Sequence, residues 1–451
     1  FFLMIRRPPR STLFPYTTLF RSLFWISNNI FGTPAILLGF IVLLGLLLQK
    51  KSTSQVISGT FKAVIGFLII SAGSGVIVGA LNVFEPMWKE VFGLESESLS
   101  NFLGQETFNA QFGGSVTMAM LLGFLINVLL ARFTKFKYIY LTGHMMFWTS
   151  TIFTGIVIHT AGDSVPRWGL ILFIAIILGV YWTFQPALTQ PFMRKITGND
   201  NIALGHTSAA AGLLGALLGK WLGNKENDTE KIKVPKGLEF LRDSNVITAL
   251  CMGLLFFVGA VVLMLKGTPE AQNLVAQSGD QNFIIYSIVQ SLTFAGGIAI
   301  VLLGVRMFIG ELVPAFNGIA TKLVPGAKPA LDCPVVYPYA PNAVILGFLG
   351  AFVGALIWLV VLGNTVAYIF VPTMIVLFFH GATAGVFGNS TGGVRGALLG
   401  RFITATIVAW GQFIMVRYLI STTVPDTAMW AADTDMFILG PIIRLLSQLL
   451  F

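Results

Sequence analysis

Three ionisable side chains lie where apolar or broken sequence gives them few ordinary partners. His144 sits in YLTGHMMFWTS (140–150), His206 in LGHTSAAAG (204–212) and Asp332 in PALDCPVVYPYAPN (329–342). An imidazole in hydrocarbon without a partner is costly, so each histidine needs either a structural hydrogen bond or a ligand. Near neutral pH the ring both donates and accepts, which suits a hydroxyl-rich ligand. Thr142 and Gly143 allow close backbone approach to His144, while Thr207 and Ser208 add hydroxyls among small residues beside His206. Prolines 329, 334, 338 and 341 forbid a continuous helix around Asp332. Its carboxylate either accepts from ligand hydroxyls or pairs with Arg306 or Lys328. Trp148 follows His144 by four residues on the same helical face, as a wall for a sugar ring or as packing.

The remaining intramembrane ionisable residues are Lys62, Arg306, Glu311, His380 and Arg395. Such groups are functional candidates by default. Arg306 and Glu311 are five apart, a spacing that does not put them on one helical face. Each therefore finds a partner elsewhere, and Lys62 reads the same way, as structural. His159 reads as interfacial, and His380 fits either role. The chain has no GxxxxGK[ST] phosphate loop, no nucleophile with base and orienter, and no metal-ligand spacing. Cys251 and Cys333 show no CxxC spacing and read as small hydrophobes. The sequence thus describes a non-enzymatic chain that needs no cofactor.

The elements that position these residues are membrane helices. Of 451 residues, 55% are hydrophobic and only 10% charged, with mean hydropathy +0.82, against roughly 25% charged in soluble domains. The chain is an all-α polytopic membrane protein. Apolar runs at about 31–48, 56–82, 112–131, 138–159, 168–190, 246–265, 283–305, 342–362, 366–380, 402–420 and 436–451 give eleven candidate spans. Lysine and arginine cluster after the first, third and fifth runs (Lys50, Lys51; Arg132, Lys135, Lys137; Arg194, Lys195 and 220–242), which marks those loops cytoplasmic. The alternate loops, including Asp426 to Asp435, are then external, the amino terminus outside and the carboxyl terminus inside. The polar loop 224–245 is either a solvated linker or a docking surface.

Residues 1–22, with four arginines and no acid, resemble translated sequencing adapter and are set apart from the transmembrane unit 23–451. Without them the net charge of +9 falls to +5, which the loops explain without nucleic acid. The chain stops at Phe451 inside an apolar run, so the last helix reads as truncated.

Several stretches are too polar and glycine-rich to span simply: 71–75, 199–212, 311–342 and 380–396. Irregular backbone at membrane depth survives only where protein buries it or a cavity adjoins it, and pairs of such segments point to a substrate site between inverted repeats. KAVIGFL (62–68) and RMFIGEL (306–312) share a basic residue, Ile-Gly and Leu, and span parity makes two five-span halves inverted.

LTGHMMF (141–147), ALGH (203–206), the block from GVRMFIGEL to LVPGA (304–327), LDCPVVYPYAPNAV (331–344), TFKAVIGF with AGSG (60–75) and GVFGNSTGG (385–393) together resemble the ascorbate-specific membrane component, EIIC, of the bacterial phosphotransferase system. The resemblance runs from about residue 30 to near the end. It implies a homodimer in membrane lipid with eleven spans per subunit, in inverted repeats, divided into a core domain and a V-shaped dimerisation motif. It implies inward translocation of L-ascorbate, phosphorylation by a cytoplasmic EIIB from a phosphocysteine, and supply of that phosphate by EIIA.

Ligand contacts carried over from the resemblance are His144, His206 and Asp332. Trp148 and Thr207 stand where the family pattern has glutamine. A threonine–tyrosine contact pair has Ser98 and Leu99 as its nearest positions. Loss of two amides removes donors and acceptors, so a related sugar acid, lactone or polyol is also a candidate substrate. The rival readings are an ion- or proton-coupled secondary transporter of a small polyhydroxylated solute, with Asp332 or Glu311 as proton carrier, and a non-transporting receptor on the same fold.

Overall fold

The computed structural model describes residues 34–93, 102–162, 165–232, 244–322, 324–366 and 372–451, with single positions between. In chain order the elements are α1 (Pro34–Leu48), α2 (Thr53–Phe92), α3 (Gly104–Phe133), β1 (Tyr138–Tyr140), α4 (Gly143–Ala161), α5 (Arg167–Thr197), β2 (Ala203–Leu204), α6 (Ala209–Leu222), α7 (Ser244–Lys266), α8 (Pro269–Ala276), α9 (Phe283–Lys322), β3 (Lys328–Leu331), α10 (Pro341–Thr365), α11 (Met374–Ile414), α12 (Pro425–Ala431) and α13 (Thr434–Leu450). Among the described residues, α3, α5, α7, α9, α10 and α11 contain six stretches long and apolar enough to cross a membrane. The chain is a multi-pass membrane protein.

The helices form two groups. In the first, α2 and α9 lie along each other, with α1 and α7 against them. Ser52 and Gln55 start α2 with a reciprocal capping box, and left-handed Gly93 (φ 63°) ends it. In the second group α3 packs on α5, while α6 and α10 pack on α11. The α6–α11 seam needs glycine. A Cβ on Gly219 would lie 2.5 Å from Thr391 Oγ1 and 2.7 Å from the Gly388 carbonyl. Small residues of this kind let membrane helices approach closely.

The interrupted stretches differ in character. The run 138–159 is a strand followed by a helix that begins only at Gly143. The run 366–380 becomes helical at Met374. The glycine-rich stretch 380–396, expected to be irregular, is helical up to a single break at Gly393 (φ 59°), where Val394 N–H donates to the Asn227 carbonyl (2.8 Å). The carboxyl end also departs from the expected side. Phe451 meets Phe173 edge-on (5.6 Å between ring centres), near the start of α5 and away from Arg194 and Lys195. The reason is that α13 begins deep in the bundle, after residues the sequence assigns to an external loop.

Three short strands form a parallel sheet in the order β1–β3–β2, pairing Tyr138 with Lys328, Tyr140 with Ala330, Ala203 with Ala330 and Leu204 with Leu331. The sheet is buried, so its free edges need partners. Asn127 of α3 serves the β1 edge: its Nδ2 donates to the Tyr138 carbonyl (3.1 Å) and its Oδ1 accepts from Tyr140 N–H (3.0 Å). On the β2 side, Gln185 Nε2 donates to the Leu204 carbonyl (3.2 Å) and Gln190 Nε2 to the Ile202 carbonyl (3.1 Å).

Asp200 ties the base of the sheet together, holding Arg194 (2.8 Å), Gln190 (2.7 Å) and Lys328 of β3. The Arg194 guanidinium first, then Lys328 and Gln190, keep its carboxyl well below the usual carboxylate range. A depressed carboxyl contributes stability above the unfolded value of about 4, lost on acidification.

Asn127→Leu orphans a buried carbonyl and a buried amide, each worth on the order of 1–3 kcal/mol. Thermal unfolding in detergent should therefore show a loss of about 2–6 kcal/mol. Thr183→Val removes the 2.8 Å bond from Asn127 to the Thr183 hydroxyl and that hydroxyl's own bond to the Gly179 carbonyl (2.7 Å) but leaves both edge bonds of β1 in place, and should cost less.

Candidate functional site

Parallel pairing sends the three strands out of the sheet at one end, and a site residue follows each. Asp332 is next after β3, His206 follows β2 by two residues, and His144 opens α4 just past β1. The ladder continues beyond the strands, with Leu141 N–H donating to the Ala330 carbonyl (3.0 Å) and Gly205 N–H to the Leu331 carbonyl (2.7 Å). Position 205 must be glycine, because a Cβ there would lie 2.5 Å from the Ala330 carbonyl oxygen.

Asp332 lies between the two imidazoles. Its Oδ2 is 3.7 Å from His144 Nε2 and its Oδ1 is 3.7 Å from His206 Nε2. Oδ1 also accepts from Cys333 N–H (2.7 Å), which caps the 3₁₀ turn Cys333–Tyr339. Side-chain exposure falls from 24% at His144 through 13% at Asp332 to 4% at His206, so the pocket opens on the His144 side. A gap of 3.7 Å is too long for a hydrogen bond. Oδ2 can therefore accept from a ligand hydroxyl that approaches from the open side and bridges the carboxylate and the His144 ring. The starts of α4 and α6 bring positive dipole ends to the same place.

His206 has a fixed role. Ser208 N–H donates to its Nδ1 (3.0 Å), so the proton of the neutral ring is on Nε2, facing Asp332. His144, His206 and Asp332 are close enough to hold a metal ion, as are His206, His380 and Asp433. A metal on His206 Nε2 would have to displace that proton while Nδ1 remains an acceptor, which disfavours His206 as a ligand. The arrangement is suited to donating and accepting hydrogen bonds. Tyr140 Oη and Thr142 Oγ1 are buried nearby in sequence with no partner among the described residues, leaving further capacity to bond a polyol.

Behind this pocket lies a second polar cluster. Thr207 donates its hydroxyl to Asp433 and also meets the Met145 sulfur (2.8 Å). Asp433 Oδ1 is 3.2 Å from His380 Nε2. Asp435 accepts from Ala210 N–H (2.6 Å), in the first turn of α6, and from Tyr181 Oη (2.7 Å). Asp433 and Asp435 were missed by the sequence reading, which placed them in an external loop. The available signal was a pair of acids flanking Thr434 directly before the apolar run MFILG.

Lys328 bonds Asp200, and Arg306 is exposed, so neither partners Asp332. Lys62 and Glu311 pair with each other at 3.5 Å. Trp148 is half-buried on α4, edge-on to Phe147 (5.0 Å). The Thr207 hydroxyl is engaged by Asp433, behind the pocket. His159 bonds the Thr422 hydroxyl (2.7 Å). Ser98 and Leu99 lie outside the described residues.

Multiple apolar helices around a polar pocket built on broken segments define a multi-pass membrane protein with a candidate site for a polar solute. A family model described as the PTS system sugar-specific permease component, EIIC-GAT, matches residues 29–436. The chain belongs to that family, whose members are the sugar-translocating subunits of the phosphotransferase system. It is similar to an ascorbate-specific PTS system EIIC component of Mycoplasma pneumoniae, 28% identical over 443 residues. That match covers 88% of this chain and 66% of the relative's length.

Gly205→Ala should push β2 away from β3 and move His206 from Asp332. The variant is expected to remain folded by thermal unfolding, with its His206 ring signals displaced from the wild-type positions in ¹⁵N spectra.

Proposed function

We propose that this permease binds L-ascorbate, or a closely related sugar acid or polyol, at His144, His206 and Asp332. The observation that carries the reading is the convergence of those side chains at the ends of three parallel strands. Asp332 accepts from ligand hydroxyls, His206 donates through Nε2, and His144 closes the open side. Trp148 supplies an apolar wall, and Thr207 supports from behind. Ser98 and Leu99 remain proposed contacts. The ascorbate-specific relative supports the substrate class.

In the proposed cycle the second helix group carries the site and moves against the first, opening the pocket alternately to each side. The first group then corresponds to the V-shaped dimerisation motif of a homodimer in membrane lipid. Two features support this division. The helix groups pack mainly within themselves, and α2 and α9, each 40 residues long, carry the matching fragments KAVIGFL and RMFIGEL, joined by Lys62 and Glu311. Eleven spans in inverted repeats belong to the same proposal, with residues 23–451 as one transport unit and 1–22 foreign to it. Cytoplasmic EIIB, charged by EIIA, phosphorylates the sugar and prevents its return.

Labelled ascorbate uptake into vesicles tests the reading, with purified phospho-EIIB inside or absent. Ascorbate should be trapped as its phosphate only when phospho-EIIB is present. Accumulation driven by a proton or sodium gradient without EIIB would instead establish a secondary transporter. Asp332→Asn should weaken ascorbate binding by roughly tenfold or more, the scale expected when a hydrogen-bonded charge is lost. Isothermal titration of the purified variant measures this, and wild-type affinity would remove Asp332 from the site.

A further inference from the structure

We infer that His380 and Asp433 are positioning residues of the sugar site: a buried imidazolium–carboxylate pair that fixes, through Thr207, the direction in which His206 donates. The inference rests on the reading of His206 as a ligand donor.

Proton placement carries the argument. His380 Nδ1 lies 3.1 Å from Thr434 Oγ1. That hydroxyl is also 3.0 Å from the Thr207 carbonyl and 3.5 Å from Asp435 Oδ1, two groups placed to accept its proton. Its single hydrogen is directed to them, so His380 Nδ1 is the donor in its own contact. At the other side of the ring, Nε2 faces Asp433 Oδ1 at 3.2 Å. A lone pair against a carboxylate is repulsive, so a second proton lies between them. Both ring nitrogens then carry hydrogen, and Asp433 is the counter-charge. The side chains are 1% and 5% exposed, and a charge buried this deeply persists only when paired.

The pair is coupled to the ligand site by one peptide. Asp433 accepts the hydroxyl proton of Thr207, the residue after His206. The Thr207 carbonyl is held in turn by Asp435 N–H (3.1 Å) and the Thr434 hydroxyl. Ser208 fixes the His206 ring from its other side. The His380 and His206 rings are 5.4 Å apart between centres. Three separate elements, α11, the tip before α6 and the start of α13, thus set one imidazole. His380 reaches the ligand site through Asp433 and Thr207 and through its edge-on contact with the His206 ring.

The test uses the full chain in lipid nanodiscs with ¹⁵N-labelled histidine, and His380 is assigned by the signal lost in His380→Gln. At neutral pH both His380 ring nitrogens should be protonated. His380→Gln keeps a donor toward Asp433 but no counter-charge, so it should weaken ascorbate binding less than His380→Leu does. His380→Leu leaves the carboxylate unpaired and should weaken binding by roughly tenfold or more, with a shift of the His206 ring signals. Asp433→Asn keeps a partner for Thr207 but carries no charge, so the His380 ring should lose one proton. That readout serves if His380→Leu does not fold. A singly protonated His380 ring in the wild type, or unmoved His206 signals in a folded His380→Leu, would overturn the inference. Failure of the wild type to bind ascorbate would count against the proposed substrate and leave the ring measurement intact.

Discussion

Backbone hydrogen bonding inside an apolar bundle governs this structure. Strands of two to four residues have no strength of their own, and unpaired amides in such surroundings cost several kcal/mol each. Here β3 supplies the inner partners for both neighbours, and long amide side chains serve the outer edges. Asn127 closes one side, with Gln185 and Gln190 on the other. Once the edges are satisfied, irregular chain can lie in the interior of the bundle, and the site residues can sit on it. The glycine at 205 and the proline-rich turn after Asp332 are tolerated for the same reason.

Charge is arranged in layers around that sheet. At its base, Asp200 gathers Arg194 and Lys328 among exposed groups. At its far end, Asp332 stands between two imidazoles without closing on either. Deeper still, Asp433 and Asp435 engage His380, Thr207, Tyr181 and the first turn of α6. In the middle layer the carboxylate stands 3.7 Å from both rings, with the unpartnered Tyr140 and Thr142 hydroxyls close in sequence, and this open capacity is what suits it to a ligand.

The class of fold was legible from composition and apolar runs, because membrane helices announce themselves over twenty residues. His144, His206 and Asp332 were legible because ionisable groups are conspicuous against apolar or broken sequence. The strands were not, since two to four residues carry no readable alternation. The Asp433–His380 contact was hidden because its partners are far apart in sequence and one lies in a segment polar enough to pass for an external loop. Residues 380–396 misled in the other direction. Their glycines suggested broken chain, but in the structure they are a helical surface made smooth for α6, with only Gly393 out of helical geometry.

The order of the strands bears on how the molecule is made. The central strand, β3, is the last to leave the ribosome. Until residue 331 has been synthesised, β1 and β2 have no common partner, and the side-chain amides on α3 and α5 can only hold their outer edges. The pocket therefore cannot form progressively as the spans are inserted. It appears in a late step, when a segment already past the ninth helix returns into a half-built bundle. A chaperone or insertase holding the early spans apart would act on the assembly of the pocket without touching any residue in it.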